Sequence, residues 1–322
     1  MHELPSPADV IRQFSNPFGE QIETHRQEAK NILTRKSDRP VVIVGPCSIH
    51  DIGGALAYAE KLQDLEKEVG DSLFLVMRVF VEKPRTRTGW KGLLYAPDPD
   101  EPTDITKGIA SSRQLFRIIS EMNIPIATEF VNPLTATYLA DFVTWGFIGA
   151  RTSYSQPHRE LSSSLPFPIG FKNATDGDPI GAINGMYTAR DPHTFLTTAP
   201  NGHIASKTSD GNPYSHLVLR GSDKAPNHTT KVNLPCGTPL IIDCAHGNSN
   251  KKPEAQKDLF YSLLEKPRPD MIGVMLESYL NEGKQKAFSC PYTSITDPCL
   301  DWETTSEMLR AYASLNHIFS NE

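Results

Sequence analysis

Cys47, His246, Glu277 and Asp297 lie far apart in the chain, yet together they form a coherent donor set. One soft sulfur, one borderline imidazole and two hard carboxylates suit a first-row divalent ion (Mn2+, Fe2+, Co2+ or Zn2+) rather than Ca2+. No CxxC or HExxH spacing joins them, so a packed thiol at Cys47 or a hydrogen-bonded neutral imidazole at His246 is an equal reading for either residue alone. A second set is cationic. Arg78, Arg151, Lys172 and Arg220 sit in or at the ends of apolar runs, where Lys and Arg are rarely buried unpaired. Gathered in one site they call for a ligand with two or more negative groups, such as a phosphate and a carboxylate. The planar fork of Arg binds either group bidentately. Scattered structural ion pairs would explain any one of these cations, but not all of them.

What must position these residues is a set of short, continuously apolar runs: Val41–Val44, Leu73–Val79, Ile124–Phe130, Phe147–Ala150, Pro168–Phe171, His216–Leu219, Pro239–Ile242 and Met271–Leu276. Continuous rather than alternating hydrophobicity predicts parallel strands buried on both faces. Helical periodicity falls between them, over Gly54–Glu68, Ala110–Met122, Leu134–Trp145, His158–Leu165, Ile180–Arg190, Lys252–Glu265 and Ser306–Phe319. The alternation predicts an α/β chain folded as a (β/α)8 TIM barrel over 41–322, preceded by an N-terminal extension over 1–40. A doubly wound sheet is disfavoured, because no GxGxxG follows the first run. Two irregularities are expected. Phe195–Ser209, after the fifth helix, reads as an inserted hairpin, and Gly221–Cys236 leaves room only for a stub of a sixth helix.

Active sites of such barrels form where the strands end. Every predicted strand delivers a charged or metal-competent side chain to that face: Cys47 after the first, Arg78 with Glu82, Lys83 and Arg85 around the second, then Glu129, Arg151, Lys172, Arg220, Asp243 with His246, and Glu277. Asp297 follows in the last loop. This placement favours both the metal set and the anion-binding set.

Composition narrows the class. With 322 residues, 38% of them hydrophobic and 22% charged, the chain can bury a core and is not disordered. A net charge of −6 without a basic face excludes wholesale nucleic-acid binding. No run approaches the roughly 18 apolar residues of a membrane span, and MHELPSPADV is no secretory signal. Five cysteines (Cys47, Cys236, Cys244, Cys290 and Cys299) without a CxxC pair suggest a reducing, cytoplasmic setting.

VGPCSIHD, MRVFVEKPRTRTGWKG, IGARTSYSQPHRE, GFKNATDG, HLVLRG, IDCAHGNSNK, LESYLNEGKQ and SITDPCLDWE occur in that order from Val44 to Glu303. Together they resemble the class I 3-deoxy-D-arabino-heptulosonate 7-phosphate (DAHP) synthases. The resemblance implies a metal-dependent condensation in aromatic amino acid biosynthesis. Carbon 3 of phosphoenolpyruvate adds to the aldehyde of erythrose 4-phosphate, water adds to carbon 2, and phosphate leaves. It further implies Cys47, His246, Glu277 and Asp297 as metal ligands. Arg151 and Arg220, beside Ala150, would bind the phosphate of phosphoenolpyruvate, and Arg78 and Lys172 its carboxylate. Lys83 would lie between the substrates as proton donor or electrophile, with its pKa lowered by the surrounding cations. Arg85 and Thr86 would take the sugar phosphate, Glu129 would position water, and Asp243 would support His246 or the sugar hydroxyls. A homodimer or homotetramer is implied as well.

Several positions depart from the family pattern. Tyr154 replaces a usual Glu, Tyr214-Ser215 an Asp-Cys pair, and Tyr279 a His. Chain length or stereochemistry of the sugar is the property they put at risk; a related synthase using another aldose phosphate is the alternative, against which KPRT followed by TGWKG argues. The chain begins almost at LPSP, and Ala136-Thr137 and Pro166 differ from the usual inhibitor-pocket residues. Weak or absent feedback inhibition by Phe, Tyr or Trp is therefore expected.

Overall fold

The computed structural model describes residues 2–232 and 238–319; Cys236 lies outside them. The apolar runs become β1 (Val41–Gly45), β2 (Phe74–Arg78), β3 (Ile126–Glu129), β4 (Trp145–Ile148) and β5 (Ile169–Lys172). After the hairpin β6 (His193–Thr198) and β7 (Ile204–Ser209) come β8 (Ser215–Leu219), β9 (Leu240–Asp243) and β10 (Met271–Glu277). All but the hairpin pair in parallel and close into a barrel ordered β1-β10-β9-β8-β5-β4-β3-β2. This is the (β/α)8 TIM barrel expected, with β6 and β7 forming the separate antiparallel insertion.

Strand side chains alternate between the two faces. Val41, Ile43, Phe74, Val76, Ala127, Trp145, Phe147, Val218, Ile241 and Met275 fill the barrel interior. Their neighbours Val42, Val44, Leu75, Met77, Ile126, Leu217 and Ile242 pack outward on the helices. Carrying the inward set forward by two residues brings Arg78, Glu129, Lys172, Arg220, Asp243 and Glu277 inside at the C-terminal end. The same periodicity that fills the core therefore aims the polar residues into one mouth.

The helices are α1 (Pro7–Gln13), α2 (Gly19–Leu33), α3 (Ile52–Val69), α4 (Ile105–Glu121), α5 (Ala136–Leu139), α6 (Gln156–Ser163), α7 (Ile180–Arg190), α8 (Pro253–Glu265) and α9 (Trp302–Phe319). The Asp51 carboxylate caps α3 by accepting from the Gly54 amide. Ala29, Ile32 and Leu33 of α2 join the interior cluster, so the N-terminal extension packs on the barrel core at the end opposite the site.

Two helix expectations fail. The continuous helix over Leu134–Trp145 is instead a 3-10 turn, the single turn α5 and a second 3-10 turn, with Trp145 already in β4. Arg113 takes the Tyr138 carbonyl, and Arg26 the carbonyls of Ala140 and Val143. Side chains from α2 and α4 thus occupy acceptors that a continuing helix would need. Between β8 and β9 the described residues contain no helix, not even a stub; the Ser222 hydroxyl instead accepts from the Lys224 and Ala225 amides in a tight turn.

Candidate active site

The floor of the mouth is built from opposed charges. Arg78, 1% exposed, places Nη2 3.0 Å from Glu277 Oε1, and its guanidinium lies over the Phe80 ring at 4.0 Å. Lys172 Nζ lies 3.0 Å from Glu129 Oε2 and 3.8 Å from Asp243 Oδ2. Asp243 in turn accepts from His246 Nδ1 at 2.8 Å, which turns Nε2 to within 3.5 Å of Glu277 Oε1. Burial opposes ionisation of Asp243 and Glu129, yet His246 holds the first and Lys172 the second below the ordinary carboxylate range. Arg78 and Lys172 therefore find protein carboxylates, contrary to the expectation that all four cations need an anionic ligand.

Donor atoms of Cys47, Glu277 and Asp297 lie within 4.8 Å of one another. With His246 Nε2 beside Glu277, the residues named as metal ligands from the sequence converge. The donor chemistry fits a first-row divalent ion, and Asp243 on Nδ1 is the orienting partner that metal-binding histidines commonly have. Lys83 Nζ lies 2.7 Å from Cys47 Sγ, which also accepts from the Asp297 amide at 3.4 Å. Burial pushes the Cys47 thiol up to about 11, helped by Glu277 and Asp297 and opposed by Lys83. Asp297 goes the other way: against burial, Lys83 and Lys251 hold its carboxyl low.

The expected lowering of the Lys83 pKa is corrected. Burial acts in that direction, but Cys47, Glu277 and Asp297 outweigh it and raise the value. Lys83 faces the acidic ligand set, not the cations named from the sequence.

Above this floor the mouth is lined by Arg85, Ala150, Arg151 and Arg220, with Lys83, Glu129, His246 and Asp297 reaching it from below. Arg151 donates through Nη2 to the Thr86 hydroxyl at 3.1 Å, and Arg85 through Nε to the Trp90 carbonyl at 2.7 Å. Among the described residues, Arg85, Arg151 and Arg220 have no carboxylate partner within ion-pair distance. Cys47, Glu277 and Asp243 are buried beneath the lining and Thr86 is at the rim.

Sequence reasoning missed Thr175, Asp223 and Lys251, which also line the mouth, and gave no role to Glu82, which it had placed at the end of the second strand. A signal existed for Lys251, close behind His246 in HGNSNK. Lys251 Nζ lies 3.1 Å from Asp297 Oδ1. The loop residues Thr175 and Asp223 carried none. Of the departures, Tyr154 points to Asp178, and Tyr279 is buried with its hydroxyl on the Pro291 carbonyl. Cys244 is buried with its thiol toward the Ile242 carbonyl, and the donor atoms that cluster are those of Cys47, Glu277 and Asp297.

Comparison with known proteins agrees with this geometry. Residues 20–310 match the DAHP synthetase I family. The chain is 38% identical over 333 residues to the Trp-sensitive phospho-2-dehydro-3-deoxyheptonate aldolase of Escherichia coli (strain K12), covering 98% of this chain and 95% of that protein. It is 41% identical over 307 residues to the Tyr-sensitive enzyme of Salmonella typhimurium, covering 90% and 86% respectively. The structure of the phospho-2-dehydro-3-deoxyheptonate aldolase from Francisella tularensis SCHU S4 superposes with a TM-score of 0.93 at 38% identity, over 99% of this chain and 98% of that one. With matching sequence, matching barrel and a mouth of paired acids and cations, the chain belongs to the DAHP synthetase I family.

Proposed function

We propose that the chain condenses phosphoenolpyruvate with erythrose 4-phosphate to give DAHP and phosphate, a reaction of aromatic amino acid biosynthesis, with a divalent ion held by Cys47, His246, Glu277 and Asp297. The observation that carries the reading is the meeting, in one mouth, of that donor set with Arg85, Arg151 and Arg220, which have no carboxylate partner among the described residues. A bound Mn2+, Fe2+, Co2+ or Zn2+ supplies Lewis acidity. Everything else falls to the chain's own residues.

Arg151 and Arg220 hold the phosphate of phosphoenolpyruvate beside Ala150 and stabilise the charge that accumulates as it leaves. Arg78 and Lys172 face its carboxylate from the floor, already oriented by Glu277 and Glu129. Arg85 and Thr86 bind the sugar phosphate at the rim. Lys83, kept protonated by its acidic neighbours, donates a proton or hydrogen bond to the aldehyde oxygen rather than acting as a base. Glu129 orients the water that adds to carbon 2, and Asp243 fixes the His246 ring.

Although two relatives carry Trp-sensitive and Tyr-sensitive in their names, Ala136-Thr137 and Pro166 support weak inhibition of this chain. The test is phosphoenolpyruvate consumption against a panel of aldose phosphates, before and after EDTA and with each aromatic amino acid. Turnover is expected with erythrose 4-phosphate, lost with EDTA, restored by Mn2+ and little changed by Phe, Tyr or Trp. No turnover with erythrose 4-phosphate under any divalent ion overturns the activity; sub-millimolar inhibition overturns the regulatory part.

A further inference from the structure

Glu82 is 2% exposed, and no Lys or Arg neutralises it within ion-pair distance among the described residues. Its carboxylate is instead the point where hydrogen bonds from another loop converge. Oε2 accepts from the Val131 amide at 3.2 Å and the Thr135 hydroxyl at 2.7 Å, and Oε1 from the Asn132 amide at 3.2 Å. Those donors lie on the segment that leaves β3 immediately after Glu129. Glu82 itself stands directly before Lys83, at the neck of the loop that carries Arg85 and Thr86. That neck is closed by Lys83 N on the Lys91 carbonyl at 2.9 Å and Leu94 N on the Val81 carbonyl at 3.0 Å. Beyond it the chain has no helix or strand until α4.

We propose that Glu82 is a positioning residue: its buried carboxylate clasps the loop of Lys83, Arg85 and Thr86 to the segment after Glu129, setting the distance between the sugar-phosphate site and the phosphoenolpyruvate site. The proposal rests on the substrate reading above. A buried carboxylate costs far more than a buried apolar side chain unless several donors solvate it. Its place here is explained by the two amides and a hydroxyl it satisfies. Removing it strands the Val131 and Asn132 amides and frees the loop that has no other regular structure to hold it.

The test compares Glu82→Ala, Glu82→Gln and Thr135→Val with the wild-type enzyme. For Glu82→Ala, KM for erythrose 4-phosphate is expected to rise about tenfold or more, the equivalent of losing one hydrogen bond to a charged group. KM for phosphoenolpyruvate and Mn2+ affinity should stay within about twofold. Glu82→Gln keeps one acceptor oxygen and should recover part of the loss. Thr135→Val removes the hydroxyl contacts to Glu82 and to the Asn132 carbonyl, leaves the carboxylate and both amide bonds in place, and serves if Glu82→Ala does not fold. Amide exchange over 84–92 and 131–135 should accelerate in the same order. An unchanged KM for the sugar phosphate in every variant that folds overturns the proposal, as does a loss spread equally over both substrates and Mn2+. If the wild type turns over no aldose phosphate, the substrate reading fails instead. Exchange then decides the clasp alone, and unchanged protection of 84–92 refutes it.

Discussion

Asp243 is wholly buried at the centre of the charge network, with His246 Nδ1 at 2.8 Å and Lys172 at 3.8 Å from the same oxygen. The first contact fixes the ring so that Nε2 faces Glu277 Oε1 at 3.5 Å. Asp243→Asn keeps the shape but presents an amide that can donate, so the imidazole loses its fixed orientation. Mn2+ affinity and turnover should each fall about 10- to 100-fold, as for other orienting partners of metal-bound histidines. Titration by electron paramagnetic resonance together with kinetics checks this, and wild-type affinity in the variant would contradict it. The residue roles were readable to different depths. Metal donors and cations were legible as types, because few residues supply sulfur, imidazole or guanidinium. Their pairing was not: Lys83 was expected among cations and stands against Cys47 at 2.7 Å.

Among the elements, β10 shows how a single position sets the geometry. Its register with β9 shifts between Met271 and Gly273, and a side chain at Gly273 would collide with the Val41 carbonyl oxygen of β1. Gly273→Ala must therefore push β1 and β10 apart, in the strands that lead to Cys47 and Glu277. A loss of about 3 kcal/mol or more in unfolding free energy is expected, at the severe end for overpacking. Denaturant unfolding measures it; a loss below about 1 kcal/mol would show that the strands yield easily. The strands themselves were legible to within about two residues, the fourth being displaced by two at both ends, since a fully buried parallel strand is a continuous apolar run with sharp polar ends. The stretch over 134–145 was misread as one helix. Its apolar spacing is helical, but its carbonyls are claimed by Arg26 and Arg113 from helices remote in the chain.

For the molecule as a whole, stability should vary with pH through Glu66, at the barrel end away from the site. Its Oε2 is buried without a hydrogen-bond partner, and burial pushes its carboxyl up from 4.5 to about 7, with Arg39 opposing. The folded chain thus binds more protons than the unfolded chain between these values. The stability that Glu66 contributes is full below pH 4.5 and is lost as pH rises through about 7. Glu66→Gln should accordingly gain about 1–2 kcal/mol over wild type at about pH 8 and little near pH 4.5. Equal effects at both pH values would count against it; urea unfolding at each supplies the measurement. The net charge of −6 discloses none of this, nor the concentration of cations in one mouth. No helix among the described residues is long and apolar enough to cross a membrane. By itself the sequence determined the alternation of strands and helices, the end of the barrel where chemistry gathers, and the donor types found there, because each is written in local hydrophobic pattern and residue type. Only the tertiary structure decided which charge meets which, from Arg78 on Glu277 to Glu82 on the loop after Glu129. Such energies depend on distance and burial between groups far apart in the chain, and folding alone sets both.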